Sequence, residues 1–401
     1  MTPFFPLHSR RHQVRQRSAA VVTGLLLGAA VLAGCGESDG EEPVDTGCVP
    51  SGVSMSLAIG ARANSPTPTL PKAVEELARS AARHRKAVSV VQVDGRPDID
   101  LGPQIFSSPA EGERKYAKDL DRWVDGLRRW VTEMRADEPE VDVLKSLAVA
   151  AAQVKPGETV VLVDSALQTT PPLDFRSKGM LDADPKEVVD FLRRSNSVPD
   201  LTDRNVLLVG VGDTAPPQEE LDVARRRQVI EIWTAVATAG GASCVELLES
   251  ENSTPSDIDS PPVSLVPVPP LPIFAPCGDT VLSDQGSVGF IPDSAAFRDP
   301  AAARTTLVKL AEVLTRGNAQ AELIGTTSSA GTEKGRQLLS EERARTVEAV
   351  LRELGVPEER LSSKGMGANW PDRKPDRGPD GALLPGPAAQ NRSVIVRISC
   401  G

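Results

Sequence analysis

The residues of this chain that are best suited to chemistry lie near its C-terminus. Arg343 stands in the run Leu339-Ser340-Glu341-Glu342-Arg343-Ala344, and its guanidinium can hold a carboxylate through two parallel hydrogen bonds. Hydroxyl residues follow Gly325 upstream of it, and an Asn-Arg pair lies downstream. Hydroxyl, amide and guanidinium groups of this kind can hydrogen-bond a polar ligand.

Catalysis has little support in the sequence. Beyond residue 34 the chain contains one histidine, His84, which lies in the basic run Arg83-His84-Arg85-Lys86 and fits a solvated helix face. There is no serine nucleophile elbow, no histidine-based metal spacing and no Walker loop. We therefore expect a protein without catalytic residues, cofactor or bound metal. A hydrolase that uses only Asp and Glu stays an alternative, because paired carboxylates suffice to cleave glycosidic bonds.

Residues 321–398 predict the elements that would position the candidate site. Leu323-Ile324 ends at Gly325, as in a strand that leaves a sheet. Ser340 suits a helix N-cap, because acidic residues follow in the first turn. The apolar stripe of this helix is Ala344, Val347, Leu351 and Leu354, and Gly355 would end the helix. Val394, Val396 and Ile398 alternate with other residues, as on the buried face of a last strand. Upstream, Val288-Gly289-Phe290 is the predicted first strand of the same domain.

This order of motifs resembles the C-terminal, peptidoglycan-binding domain of the outer-membrane protein A (OmpA) family. The matching pieces are Gly325-Thr326-Thr327-Ser328, Gly331, the run that contains Arg343, Gly355-Val356, Arg360-Leu361, Gly365-Met366-Gly367, Pro371 and Asn391-Arg392. They cover roughly the last third of the chain. The resemblance implies an α+β fold and non-covalent binding of the diaminopimelate of the wall peptide, with Arg343 as the chief contact. The other binding residues that it implies are Thr327, Ser328, Asn391 and Arg392.

The chain departs from the family pattern at the site itself. Ser328 stands where the family has the aspartate that meets the ammonium of diaminopimelate, and Thr326 stands where it has a histidine. Losing that carboxylate would cost about 1–4 kcal/mol of binding at surface-like dielectrics. Glu333 is a possible substitute. The alternative hypothesis is an envelope scaffold whose OmpA-like domain keeps the fold and no longer binds the wall.

Residues 1–34 predict a lipoprotein signal peptide. Four arginines precede an apolar stretch, Ala19 to Leu32, that is short for a membrane span. Leu32-Ala33-Gly34-Cys35 resembles a bacterial lipobox, which implies cleavage before Cys35 and lipidation of its thiol. We therefore expect a lipid anchor on the extracytoplasmic face of the cell membrane, followed by an acidic tether at 35–47. An ordinary secretory signal or a short anchor is the alternative.

The charge of the chain excludes nucleic acid as an expected partner. The 401 residues carry 45 Lys+Arg and 55 Asp+Glu, a net charge of −10. Residues 1–34 contain four arginines and no acid, so their removal leaves a net charge of −14. Binding to phosphates requires a basic face, which this composition does not favour.

Residues 48–250 predict an α/β domain with a doubly wound, mostly parallel sheet, because strand-like and helix-like runs alternate. The strand candidates are 53–59, 88–93, 159–163, 206–211 and 244–248. Five helices are predicted. They begin near Pro71, span Tyr116 to Met134, lie around Leu147 and around Val189, and cover 218–237. We expect this domain to bind a protein or a small ligand.

This domain more loosely resembles a von Willebrand factor A-type domain. The resemblance rests on Leu57-Ala58-Ile59-Gly60, on 160–164 and on 209–212. The metal site of that family needs Asp-x-Ser-x-Ser after the first strand, and these places hold Gly60, Arg62 and Asn64, so no metal is expected. Three acidic residues end predicted strands, Asp94, Asp164 and Asp213. Turn chemistry explains them, with a ligand site as the alternative.

Residues 251–276 form a proline-rich linker in front of the OmpA-like domain at 277–401. Setting Cys35 aside, four cysteines remain, an even number that favours disulfides in an exported chain. Three pairings are possible. We predict Cys48–Cys244 and Cys277–Cys400, because each of these pairs brackets one predicted domain.

Overall fold

Runs of β-branched residues bounded by turns build two separate sheets, which we describe from a computed structural model. The structure describes residues 46–249, 254, 260–284, 286–316 and 318–399. From Thr46 onward the chain belongs to one compact unit. The predicted signal peptide, the lipidation site Cys35 and most of the acidic tether lie outside the described residues.

The first sheet has six strands in the order β3-β2-β1-β4-β5-β6. The strands are β1 Met55–Gly60, β2 Ala87–Val93, β3 Ile99–Ile105, β4 Thr159–Val163, β5 Asn205–Val209 and β6 Cys244–Leu248. All neighbours run parallel except β2 and β3. The central strands are buried on both faces, as parallel strands covered by helices should be. The predicted doubly wound, mostly parallel architecture is confirmed.

Five helices accompany this sheet: α1 Lys72–Arg83, α2 Glu113–Glu133, α3 Val143–Ala152, α4 Pro185–Arg194 and α5 Val223–Ala239. Helix α5 begins later than the predicted residue 218, because the carboxylate of Asp222 accepts the N–H of Arg225 and caps the helix there. Strand β3 was not predicted. Its Gly102-Pro103 pair is untypical of a strand, and it is tolerated on this antiparallel edge.

The second sheet has four strands in the order β7-β10-β8-β9, with β7 Gly278–Ser283, β8 Gln320–Thr326, β9 Leu361–Gly365 and β10 Ser393–Ser399. Strand β10 runs antiparallel to both neighbours, and β8 and β9 are parallel. The helices of this half are α6 Pro300–Thr315, α7 Glu333–Glu353 and α8 Pro385–Asn391. The apolar stripe of α7 packs with α6 and with Val394, Val396 and Ile398 in one core. This is the predicted α+β fold.

Two local predictions in this half are wrong. Thr332, not Ser340, caps α7 by accepting the N–H of Gly335, so Ser340 lies inside the helix. The helix-forming residues upstream of Ser340 extend the helix by two turns. Val288-Gly289-Phe290 is not the first strand either. That place is taken by β7, and Phe290 makes only an isolated bridge.

The proline-rich segment is packed rather than free where the structure describes it. Val266 is buried in the core of the first sheet, and its backbone exchanges two hydrogen bonds with the Gln218 amide, at 2.8 and 2.9 Å. The Cys48–Cys244 disulfide is confirmed. Cys277 is disulfide-bonded, and its predicted partner Cys400 lies outside the described residues. None of the described helices has the length and apolar character needed to cross a membrane.

Candidate functional site

Arg343, the predicted chief contact, is buried on the inner side of α7, with 2% of its surface exposed. Its Nη1 lies 3.3 Å from Oδ2 of Asp284, and its Nε donates to the carbonyl oxygen of Ser294 at 3.0 Å. Nη2 lies 3.5 Å from the carbonyl oxygen of Ile291. Its guanidinium lies 5.0 Å from the centre of the Phe290 ring, a cation–π contact. Burial lowers the pKa of this guanidinium, and the charge of Asp284 opposes that shift.

An exposed turn of this domain, residues 291–296, covers the guanidinium. Two internal backbone hydrogen bonds hold the turn, from Ile291 N–H to Ala296 and from Ser294 N–H to Ile291. Ile291 at its start is 46% exposed. The turn therefore separates the guanidinium from solvent and supplies two of its carbonyl acceptors.

Thr327 and Ser328 lie on the loop after β8, and both are buried. The Thr327 N–H donates to Gly367, and its hydroxyl has no hydrogen-bond partner within the described part of the chain. A carboxylate does lie next to this loop. Asp376 is fully buried, and its Oδ2 accepts the N–H of Ser329 at 2.7 Å and the Asn391 amide at 3.1 Å. Glu333 is exposed on the first turn of α7.

The surroundings of Asp376 favour its charged form. Burial alone would raise the pKa of this carboxyl group, but hydrogen bonds from Ser329 and Asn391 outweigh burial and hold the pKa below its ordinary value. Arg373 also contacts the carboxylate. Asp376 thus fastens the long loop before α8 to the loop that carries Ser328.

Asn391 ends α8 and Arg392 connects it to β10, and the two side chains contact different parts of the molecule. The Asn391 amide exchanges two hydrogen bonds of 2.8 Å with the backbone of Lys374. Arg392 forms a two-point ion pair with Glu187 of α4, at 2.7 and 3.0 Å, and its Nε lies 3.8 Å from Oδ2 of Asp284. Arg343 and Arg392 thus share one carboxylate oxygen, and the chain of charges extends from the site into the first domain.

The corresponding end of the first sheet is closed by an ion pair. Arg62 lies beyond β1 and is fully buried, and its guanidinium grips Asp164 beyond β4 with both terminal nitrogens. Nη2 of Arg62 also donates to Ser165 at 3.0 Å. The arginine side chain therefore supplies the positive charge beside Asp164.

The other two strand-end acids differ from each other. Asp94 accepts hydrogen bonds from Arg96 and from the backbone N–H groups of Asp137 and Glu138, at 2.8–3.2 Å, which is turn chemistry. Asp213 pairs with Arg226 at 2.7 Å, and burial raises its pKa while Arg226 opposes the rise.

The structure joins three of the five predicted residues into two networks: Arg343 and Arg392 meet at Asp284, and Asn391 meets Asp376. Thr327 and Ser328 lie beside the second network, which reaches their loop through the Ser329 N–H. Neither of these acids was predicted, nor was Glu187. Asp284 directly follows β7, the first strand of this sheet, which was predicted at residues 288–290 instead. Asp376 lies in a loop that contains none of the matching family motifs. One signal was available: buried arginines and amides need partners, so acids near the predicted loops were candidates.

Comparisons with known proteins agree with the motif order. Residues 290–380 match the model of the OmpA family. One curated relative, photosystem I P700 chlorophyll a apoprotein A2 of Gloeobacter violaceus, is 40% identical over 82 residues. That stretch spans 20% of this chain and only 9% of the relative.

Solved structures similar to this chain include the periplasmic domain of Helicobacter pylori MotB (18% identity, 32% of this chain, 80% of that chain, TM-score 0.26). The peptidoglycan-associated lipoprotein of Burkholderia pseudomallei is 21% identical and covers 30% of this chain and 89% of its own, with a TM-score of 0.24. An outer membrane protein of Borrelia burgdorferi is 20% identical and covers 32% of this chain and 96% of its own, with a TM-score of 0.23. The family match covers both the turn over Arg343 and α7. At residues 290–380 the chain therefore contains an OmpA-like domain.

Proposed function

We propose that this chain is a lipid-anchored protein of the cell envelope that binds peptidoglycan non-covalently through its OmpA-like domain. The observation that carries the proposal is the OmpA family match over 290–380, which includes Arg343 and the loop with Thr327 and Ser328. The ligand is the diaminopimelate-containing stem peptide. No catalytic step is part of this function.

In the proposed complex, Arg343 exchanges internal acceptors for the carboxylate of the ligand. Its bonds in the free protein are one long ion pair and two contacts to carbonyl oxygens of an exposed turn. A two-point bond to a carboxylate is stronger than either kind of contact. Opening of the 291–296 turn is therefore a step of binding, and Asp284 keeps a cationic neighbour in Arg392 when Arg343 turns away.

Membrane attachment through Cys35 is the second half of the proposal. The lipobox-like sequence before Cys35 supports it, and the acidic tether would hold the folded part away from the membrane. Two acyl chains of a diacyl-type anchor suffice for stable attachment. A Cys35→Ser variant should move from the membrane fraction to the aqueous fraction. Retention of that variant in washed membranes would contradict the anchor.

The first domain would then face a protein or small ligand from a fixed position next to the wall. Its contact with the OmpA-like domain through Glu187 and Arg392 supports this role, because it fixes one domain against the other. Should the second domain have lost wall binding with the change to Ser328, the chain would act as an envelope scaffold. That second candidate is supported by the burial of Arg343.

Co-sedimentation of the full chain with purified peptidoglycan separates these possibilities. The wild type should pellet with the wall, and Arg343→Ala should not. Arg345→Ala is the matched control, because Arg345 lies two residues on in α7 with 65% of its side chain exposed, and its variant should pellet like the wild type. Failure of the folded wild type to pellet would favour the scaffold. Release of soluble fragments from the wall would favour the hydrolase alternative.

A further inference from the structure

A cavity of about 610 Å³ lies between the two sheets and takes no part in the proposed wall site. Its walls come from the segment before α4, from the proline-rich segment, from β7 and β10, and from the loop after β9. Small-molecule sites commonly have this volume and lie at domain boundaries.

The lining is mainly apolar, and part of it belongs to the face of the second sheet that α6 and α7 do not cover. Val281 and Ile395 are cross-strand neighbours on that face, and Leu282 and Val394 lie on the opposite face. Val281 stays 56% exposed, whereas Ile395 is only 8% exposed. Phe175 and Leu181 of the first domain close the other side. An apolar face left open inside a cleft is a surface that an apolar ligand can cover.

A second cavity, of about 460 Å³, adjoins the first. The two share Pro269, Pro270 and Val281, so the proline segment crosses between them. Leu271 and Val223 line the second cavity and are 59% and 76% exposed. The open apolar surface is thus elongated, which suits a chain-like ligand better than a compact one.

The polar groups of the first cavity are unevenly distributed. Lys178 and Lys374 line it, and neither has an ion-pair partner among the described residues. The backbone carbonyl of Lys178 accepts a hydrogen bond from the side chain of Gln390, and the backbone N–H of Lys374 donates to the side chain of Asn391. Because Gln390 and Asn391 are adjacent in the chain, the backbones of the two lysines lie on either side of them. The buried indole N–H of Trp370 has no acceptor within the described part of the chain.

The acids that line this cavity are mostly paired. Asp279 forms a two-point ion pair with Arg397, at 2.8 and 3.0 Å, and Asp182 lies 3.5 Å from Arg225. Asp372 is the third acid, and it lies in the same segment as Trp370. Asp182 also lines the second cavity, away from the lysines. Within the described part of the chain, the lining of this cavity therefore offers two ammonium groups without an ion pair and one indole N–H without an acceptor, in a chain whose net charge is negative.

We propose that this cavity binds a single-chain anionic amphiphile, a long-chain fatty acid. Its carboxylate would lie at Lys178, Lys374 and the Trp370 N–H, and its chain would run along Val281 and past Pro269 into the second cavity. Each open polar donor gains an acceptor, and the exposed apolar side chains of both cavities gain a cover. The proposal is independent of wall binding, since it uses neither Arg343 nor its turn.

The test is a fluorescence titration of the full chain with cis-parinaric acid, made on Cys35→Ser protein so that no covalent acyl chain competes. One saturable site should appear, and palmitate should displace the probe. Val281→Asp should weaken binding at least about tenfold, because it places a charge against the acyl chain. Leu271→Asp should weaken it in the same direction. Lys178→Glu with Lys374→Glu should weaken palmitate about tenfold and leave displacement by hexadecanol nearly unchanged.

Val308→Asp and Lys309→Glu are the matched controls, because both residues are exposed on α6 and do not line either cavity. They should bind the probe like the parent protein, and all variants should unfold at the parent temperature. Absence of saturable binding would overturn the proposal. So would equal weakening by Val308→Asp and Val281→Asp, or a Val281→Asp effect seen only as loss of a dimer in gel filtration.

Discussion

Two buried arginine–aspartate pairs, one in each domain, differ in how firmly they are held. The side chains of Arg62 and Asp164 are both fully buried and meet at two points. Arg343 and Asp284 meet at one point, at 3.3 Å, beneath an exposed turn. The arginine of the second pair is therefore held by fewer contacts to its acid than the arginine of the first.

The electrostatic surroundings sharpen this contrast. Besides Arg62, Asp164 accepts a hydrogen bond from the backbone N–H of Ala166, which is an uncharged donor. Removing Arg62 would therefore leave this buried carboxylate without its counter-charge. Asp284 keeps the Phe290 N–H and the nearby Arg392 when Arg343 leaves. Losing one partner of a buried pair is costly mainly because of the charge that remains. The same pair of residue types is therefore expected to be structural in the first domain, and in the proposed function its arginine is used for binding in the second.

The largest expected effect comes from Arg62. Arg62→Met should lower the free energy of unfolding by about 3–5 kcal/mol, because a buried pair then loses one of its two partners. Urea unfolding at pH 7 measures this. Arg62→Met with Asp164→Asn should recover part of the loss, since the remaining group is neutral. A double variant no more stable than the single one would contradict the assigned cause.

A smaller loss is expected at Arg343. Arg343→Met should cost about 1.5–3 kcal/mol, the range for hydrogen bonds to charged groups, because Asp284 retains Arg392. The same urea experiment applies, with Arg345→Met expected to change stability by less than about 0.5 kcal/mol. A loss at Arg343 equal to that at Arg62 would remove the distinction between the two pairs.

Amide exchange tests the mobility of the turn. The N–H groups of Ile291 and Ser294 should exchange at least about tenfold faster than that of Ala166, because local opening is easiest where the backbone is exposed. Exchange measured by NMR at constant pH resolves these positions. Slower exchange at Ile291 than at Ala166 would show that the turn does not open and that Arg343 is closed like Arg62.

The smallest effect concerns Asp376 and depends on pH. Its folded pKa is below the ordinary value, so it stabilises the protein above its unfolded pKa of about 3.9, and this contribution is lost as the pH falls through the folded pKa. Asp376→Asn should cost about 1 kcal/mol at neutral pH. The difference from wild type should shrink below pH 4. A difference that grows in acid would mean that the sign of the shift is wrong.

The sequence predicts local features of this molecule better than long-range partners. The parallel strands and the apolar stripe of α7 follow from residue patterns within single elements. Ser340 was misassigned because Thr332 competes for the same cap, a choice that depends on the residues between them. Strand β3 carries Gly-Pro and forms only because β2 offers an edge.

The partners of the site could not be derived from spacing. Asp284 is 59 residues from Arg343, and Glu187 is 205 residues from Arg392. Tertiary packing selects among many acids at such separations. The Cys48–Cys244 disulfide was within reach, because few cysteines limit the choices and each predicted pair brackets one domain.

The most direct test of the account is a calorimetric titration of the full chain with a purified diaminopimelate-containing stem peptide. The account predicts saturable binding that Arg343→Ala weakens by about tenfold to a hundredfold, the equivalent of one lost charged hydrogen-bond pair. Arg345→Ala should bind like the wild type. Equal affinity of the wild type and Arg343→Ala for the peptide would contradict the assignment of Arg343 as the chief wall contact.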